Sequence, residues 1–264
     1  MDAVLFLFLS RLSFGIIFTL LLISKTVGVK FFRFNAGLVV ILLVIGLAFR
    51  PSGTVFSAGA HSVGLVALVI ATLALSIYWF AVGRVSGVLR PLCLWTGAGC
   101  GLLALIAQGA SVTMHVPTAL TIVSFLTSAL LLGGTCTAMI LGHWYLVLPS
   151  LDVSHLQSIV KFHIGSTLIR IIVVGAVIFF AIIGWEPSMG PSFDRYILSL
   201  DGVFFWQRIL FGLLGPVVLA YMTWETAKIK STQSATGILY VDFFTVIVGE
   251  SLASYLVLAT AVPI

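Results

Sequence analysis

Five ionisable side chains interrupt long apolar stretches of this sequence: Arg11, Arg170, Arg208, Asp242 and Glu250. Apolar neighbours cannot solvate a charge. At the centre of a bilayer an ionised group costs at least about 2.5–3.5 kcal/mol, so it turns toward protein and finds a partner there. Glu250 is the deepest acid, about thirteen residues from the start of its stretch, and Arg170 lies about ten residues from the start of another, both counted from the same surface. At about 1.5 Å per helical residue their depths differ by roughly 5 Å. A pair between them is allowed wherever their two helices are neighbours. Two kinds of chemistry then stand open: an ion pair that locks helices, or a proton-exchanging Glu250 whose charge Arg170 sets. Arg11 is near the middle of the first stretch. Arg208 and Asp242 lie about one turn in from opposite surfaces, and both are expected to reach headgroups by snorkelling.

The histidines extend this pattern. His163 precedes Arg170 by seven residues, nearly two helical turns, which puts both on one face. His163, Arg170 and Glu250 thus outline a polar path from one surface to mid-membrane. His143 closes the fifth stretch, while His61 and His115 belong to the other leaflet. Paired imidazoles at similar depth on facing helices are what a b-type haem requires. His143 with His163, and His61 with His115, meet the depth condition. A quinone needs less, one imidazole as hydrogen-bond partner and a proton route. Other chemistries lack their residues. Cys93, Cys100 and Cys136 form no C-x-x-C pair, so neither a metal site nor a disulfide framework is expected. No H-E-x-x-H, G-x-S-x-G, P-loop or dinucleotide fingerprint occurs.

The elements that hold these residues follow from composition. Of 264 residues, 61% are hydrophobic and only 8% charged, with a mean hydropathy of +1.24. A soluble chain carries about 25% charged residues. The whole chain, 1–264, therefore reads as one integral membrane domain, an all-α bundle. Eight stretches approach the roughly 20 apolar residues of a spanning helix. They lie near 3–24, 35–50, 57–82, 92–111, 117–142, 160–184, 203–224 and 237–262. Odd-numbered loops carry eight Lys and Arg (Lys25, Lys30, Arg33, Arg84, Arg90, Lys161, Lys228, Lys230) against Arg50 and Arg195 in the even ones. The bias predicts cytoplasmic odd loops and both termini outside. It also accounts for the +5 net charge without a nucleic-acid partner. The first stretch lacks a basic n-region and reads as a retained span. Glycines at 97–101 and 133–134 predict close helix contacts, and Pro216 predicts a kink. The outer sixth loop, with Glu186, Asp194 and Asp201, is acidic enough to receive a basic cytochrome, although a solvated loop explains it as well.

The segment Val248-Gly249-Glu250-Ser251-Leu252-Ala253-Ser254 resembles the membrane-anchor subunits of the DMSO reductase and polysulfide reductase family, which carry a Gly-Glu followed by a Gly-Arg late in the last helices. Gly249-Glu250 matches the first half of that pattern and Ala253-Ser254 departs from the second. Trp206-Gln207-Arg208 and the small residues around 128–134 resemble it more loosely. The likeness covers about the last 140 residues. It implies a quinone-interacting subunit in a cell inner membrane, exchanging electrons with an iron–sulfur or cytochrome partner. Glu250 and Arg170 would form its reactive core, with His143 or His163 as quinone partner. A transporter for a small or anionic solute, with Arg11 and Arg170 lining its path, is the rival expectation. A purely structural or assembly subunit is the third.

Overall fold

A computed structural model describes residues 2–51, 58–84, 88–112, 116–148, 150–185 and 192–264. Eight helices are long and apolar enough to cross a membrane, and the chain is an all-α polytopic bundle. They are α1 (Asp2–Leu22), α2 (Val29–Ala48), α3 (Ala58–Ala81), α4 (Leu89–Ser111), α5 (Thr118–Val147), α6 (Ser154–Ile183), α7 (Val203–Lys228) and α8 (Thr232–Thr260).

Several helices outrun the spans that hydropathy marks. At 30 residues each, α5 and α6 are about 45 Å long, against a hydrocarbon core of about 30 Å. Polar residues end an apolar window but not a helix. Lys30 and Arg33 therefore fall inside α2, and His155 and Gln157 inside α6. Chain chemistry sets the true ends. Pro117 caps α5, Gly184 closes α6, and Gly28 at φ +104° joins the 3-10 turn Lys25–Val27 to α2.

The helices make two rings of four. In one, α1, α2, α3 and α4 pack successively and α4 returns to α1; in the other, α5, α6, α7 and α8 do the same. The rings join mainly through α1 against α5, and α1 also touches α8. Without water to expel, such contacts depend on small residues and hydroxyls. On parallel α1 and α5 the register reads Arg11 with Ser128, Gly15 with Gly133, and Thr19 with Thr137, whose hydroxyls are 2.6 Å apart. A side chain at either glycine would run into the backbone of the other helix. Gly97 faces Leu75 of α3 and Gly101 faces Phe14 of α1, the close contacts that their clustering predicts. The three cysteines are free, and two are buried in packing positions.

Within α7 the helix passes through a π turn at Leu210–Leu214 just before Pro216. Proline lacks the N–H that would bond the carbonyl four residues back, Gly212. The Arg208 side chain supplies the donor instead, Nη1 to Gly212 O at 2.8 Å. After α8, Ala261 (φ +53°) turns the chain so that Val262–Ile264 is buried at the end of the second ring, and Ser124 O–H donates to Pro263 O. At the opposite, basic end, Lys161 and Lys228 lie over the Trp224 ring at 5.1 and 5.3 Å.

Gly133→Ala should destabilise the bundle by about 1–3 kcal/mol or more, because overpacking there displaces backbone. Gly99→Ala, with nothing within 4 Å of the new methyl, should be near neutral. Unfolding midpoints of the two variants in detergent check the contrast.

Candidate functional site

The site begins with one carboxylate and the donors that four helices aim at it. On α8, Glu250 is fully buried. From α5, Ser128 O–H donates to its Oε2 at 2.6 Å. Arg170 of α6 donates from Nε to Oε1 at 3.2 Å and from Nη2 to Oε2 at 3.4 Å. Arg208 of α7 donates from Nη2 to Oε1 at 2.5 Å. Arg11 of α1 comes second-hand, from Nη1 to the Ser128 hydroxyl at 3.3 Å, with its guanidinium 4.4 Å from the Phe125 ring centre. Every group around the carboxylate is a donor, so the ionised form is the one this arrangement satisfies.

Local sequence explains the convergence. Gly212 of α7 and Gly249 of α8 meet at their Cα atoms, and a side chain on either would collide with the other. That contact brings Arg208 alongside Glu250. Ser124, one turn before Ser128 on α5, accepts Arg170 Nη1 at its hydroxyl (2.7 Å) and its carbonyl (3.0 Å).

The charges do not balance. Three guanidiniums, each 0–1% exposed, surround one carboxylate, which leaves a surplus of two positive charges. Arg11 Nη2 and Arg208 Nε have no hydrogen-bond partner. Arginine keeps its charge in proteins, so the excess belongs to the resting bundle.

A second buried pair lies nearer the basic end. His163 Nε2 and Asp242 Oδ2 are 2.7 Å apart, and Thr135 Oγ1 is 3.0 Å from His163 Nδ1. Thr135 gives its own proton to Leu131 O at 2.8 Å, so Nδ1 must be the donor to Thr135. The contact at Nε2 then needs one more proton, on the imidazole or on the carboxyl; two bare acceptors would repel at this distance. His163 Nε2 and Asp242 Oδ2 thus share a single proton inside the bundle. The Ser166 and Thr167 hydroxyls, both bonded to His163 O, lie between this pair and Arg170 on α6. The spacings of seven residues on α6 and eight on α8 place the two levels about 10–12 Å apart.

Arg170, Glu250 and His163 are therefore brought to one interior seam. Arg208 and Asp242 join them, whereas residue counting sends both to the headgroups. Each is 0% exposed. The causes differ: α8 begins five residues before its apolar window, so Asp242 lies ten residues into it, whereas α7 begins with its window at Val203 and Arg208 is buried because the Gly212–Gly249 contact sets it against Glu250. The hydroxyls of Ser124, Ser128 and Thr135 are a further part of the site, and their signal is a stripe of small polar residues three to four apart, or twice that, along α5.

His143 and His61 stand apart from the seam. His143 is exposed and shares a 2.8 Å hydrogen bond with the Tyr240 hydroxyl. These two sit beside a groove of about 480 Å³ between α5 and α8, lined by Tyr145, Thr232, Gln233, Thr236 and Tyr240. His61 packs edge-on to Phe6, 6.0 Å between ring centres. His115 lies outside the described residues. Because His163 commits both nitrogens to Thr135 and Asp242, it does not fit as a haem ligand in this arrangement. Among the described residues no group of three or more His, Cys, Asp or Glu could hold a metal ion. Comparison with family models, with curated proteins and with solved structures returns no match.

Glu250→Gln removes the anion from among the three guanidiniums and leaves them facing each other. Breaking a buried pair in this way costs about 3–5 kcal/mol. Asp194→Asn, at an exposed position, should change stability by no more than about 0.5 kcal/mol. Denaturant titration in detergent micelles checks both.

Proposed function

We propose that this chain is a quinone-interacting membrane subunit of a respiratory oxidoreductase complex, seated in a cell inner membrane beside an iron–sulfur or cytochrome partner. The observation that carries the reading is the buried His163–Asp242 pair, which shares one proton at nearly the level of the groove that Tyr240 lines. Asp242 follows Tyr240 by two residues on α8, about 3 Å along the axis and on the opposite, buried side of the helix. The groove residues suit a quinone headgroup: Tyr240 O–H, Thr236 and Gln233 offer hydrogen bonds, and the neighbouring spans offer an apolar path for a tail. A quinone, when bound, supplies coupled electron and proton exchange. The chain's own residues do the rest. His143 and Tyr240 orient the headgroup at the groove, and His163 and Asp242 give or take the proton. Glu250, Arg170, Arg208 and Arg11 form a fixed charge field behind them. In this division Glu250 and Arg170 position charge, while His163 and Asp242 move the proton.

The surplus of two buried positive charges favours a second reading, a pathway for a small anion past Arg11 and Arg170. An anion would be drawn to the Arg11 Nη2 and Arg208 Nε donors that have no partner.

One preparation separates the two. The protein is purified from its native membranes with its partners retained, extracted for quinone, and assayed for quinol-linked electron transfer. Asp242→Asn should lower that rate by about a hundredfold or more, the usual contribution of a positioned acid–base group. An unchanged rate would remove the proton role. A preparation without quinone or redox partner, whose chloride flux in vesicles falls in Arg11→Gln, would favour the anion pathway instead.

A further inference from the structure

At the basic face, the ends of α1 and α3 and the beginnings of α2 and α4 leave a cavity of about 360 Å³. It lies in the other ring of four, away from the seam of buried charges. Its polar side holds Lys25 and Arg90, and the buried Tyr78 hydroxyl interacts with the Arg90 guanidinium. Its apolar side is Phe32, Leu94 and Trp95, the last 64% exposed toward the outside of the bundle. No acid lines it. Arg90 Nε is buried there without a hydrogen-bond partner.

These features select a ligand. Two cations and no acid call for an anion, and an arginine fork with a lysine beside it suits the oxygens of a phosphate. An inorganic anion would gain nothing from the tryptophan and leucine wall. Position matters as well: residues at helix ends, next to an outward-facing tryptophan, stand at headgroup depth. The face is the one that carries the Lys and Arg excess, and basic pockets between helix ends on such a face bind anionic headgroups. We propose that this cavity binds the phosphodiester headgroup of an anionic phospholipid. Lys25 and Arg90 hold the phosphate, and Leu94 and Trp95 flank the start of an acyl chain. The lipid ties the ends of α1, α2, α3 and α4 together.

Native mass spectrometry of the purified protein in detergent, with phosphatidylglycerol or phosphatidylcholine added at equal concentration, tests this. The intact protein should retain phosphatidylglycerol at least about tenfold better than phosphatidylcholine, since each of the two cations near the surface contributes about a fivefold factor. Lys25→Gln with Arg90→Gln should abolish the preference while leaving the unfolding midpoint close to that of the unaltered protein without lipid. Excess inorganic phosphate should not displace the lipid. Equal retention of the two lipids by the unaltered protein would overturn the proposal, as would a preference that survives in the double variant. Full displacement by inorganic phosphate would also overturn it, by assigning the cavity to a free anion.

Discussion

The carboxylate of Glu250 is the point on which the helix arrangement depends. Ser128, Arg170 and Arg208 reach it from α5, α6 and α7, and Arg11 reaches Ser128 from α1. Each buried guanidinium needs acceptors from protein, and a helix that slid or turned would strand one. An ion cluster of this kind is weak evidence of stability, because desolvation offsets much of its attraction. Its stronger consequence is register. The same helices meet at glycines close to the charges: Gly15 with Gly133 near Arg11 and Ser128, and Gly212 with Gly249 near Arg208 and Glu250. Close backbone approach and buried charge are thus one device, since a wider helix spacing would place the arginines out of reach.

Two levels of the seam differ in what they can exchange. Around Glu250 all contacts are donors to an anion, and the arginines do not give up protons. That level is a fixed charge. Around His163 and Asp242 a single proton lies between two groups that can each carry it.

Much of the fold was legible in the sequence and only part of the site. Hydropathy locates all eight helices, and glycine clusters locate close contacts, because lipid leaves helices few other ways to associate. Depth arithmetic permits the Arg170–Glu250 pair, and helical period puts His163 and Arg170 on one face. Arg208 and Asp242 sit deeper than residue counting places them for two reasons: α8 begins five residues before its apolar window, and Arg208 is held inward by an anion on another helix. Pro216 signalled an interruption in α7 but not its form. The π turn and the Arg208–Gly212 bond depend on Gly249 of another helix, which local sequence cannot report. The haem geometry inferred from pairs of histidines ignored hydrogen bonding. Thr135 and Asp242 take both nitrogens of His163, and no spacing rule reveals that.

Infrared absorption of the purified protein, referenced to Glu250→Gln, reads whether Glu250 is ionised. With an ionised Glu250, the substitution removes carboxylate stretching intensity and leaves the protonated-carboxyl carbonyl region unchanged. Loss of a protonated-carboxyl band on substitution would contradict it, because the three arginines would then be held together by something other than this anion.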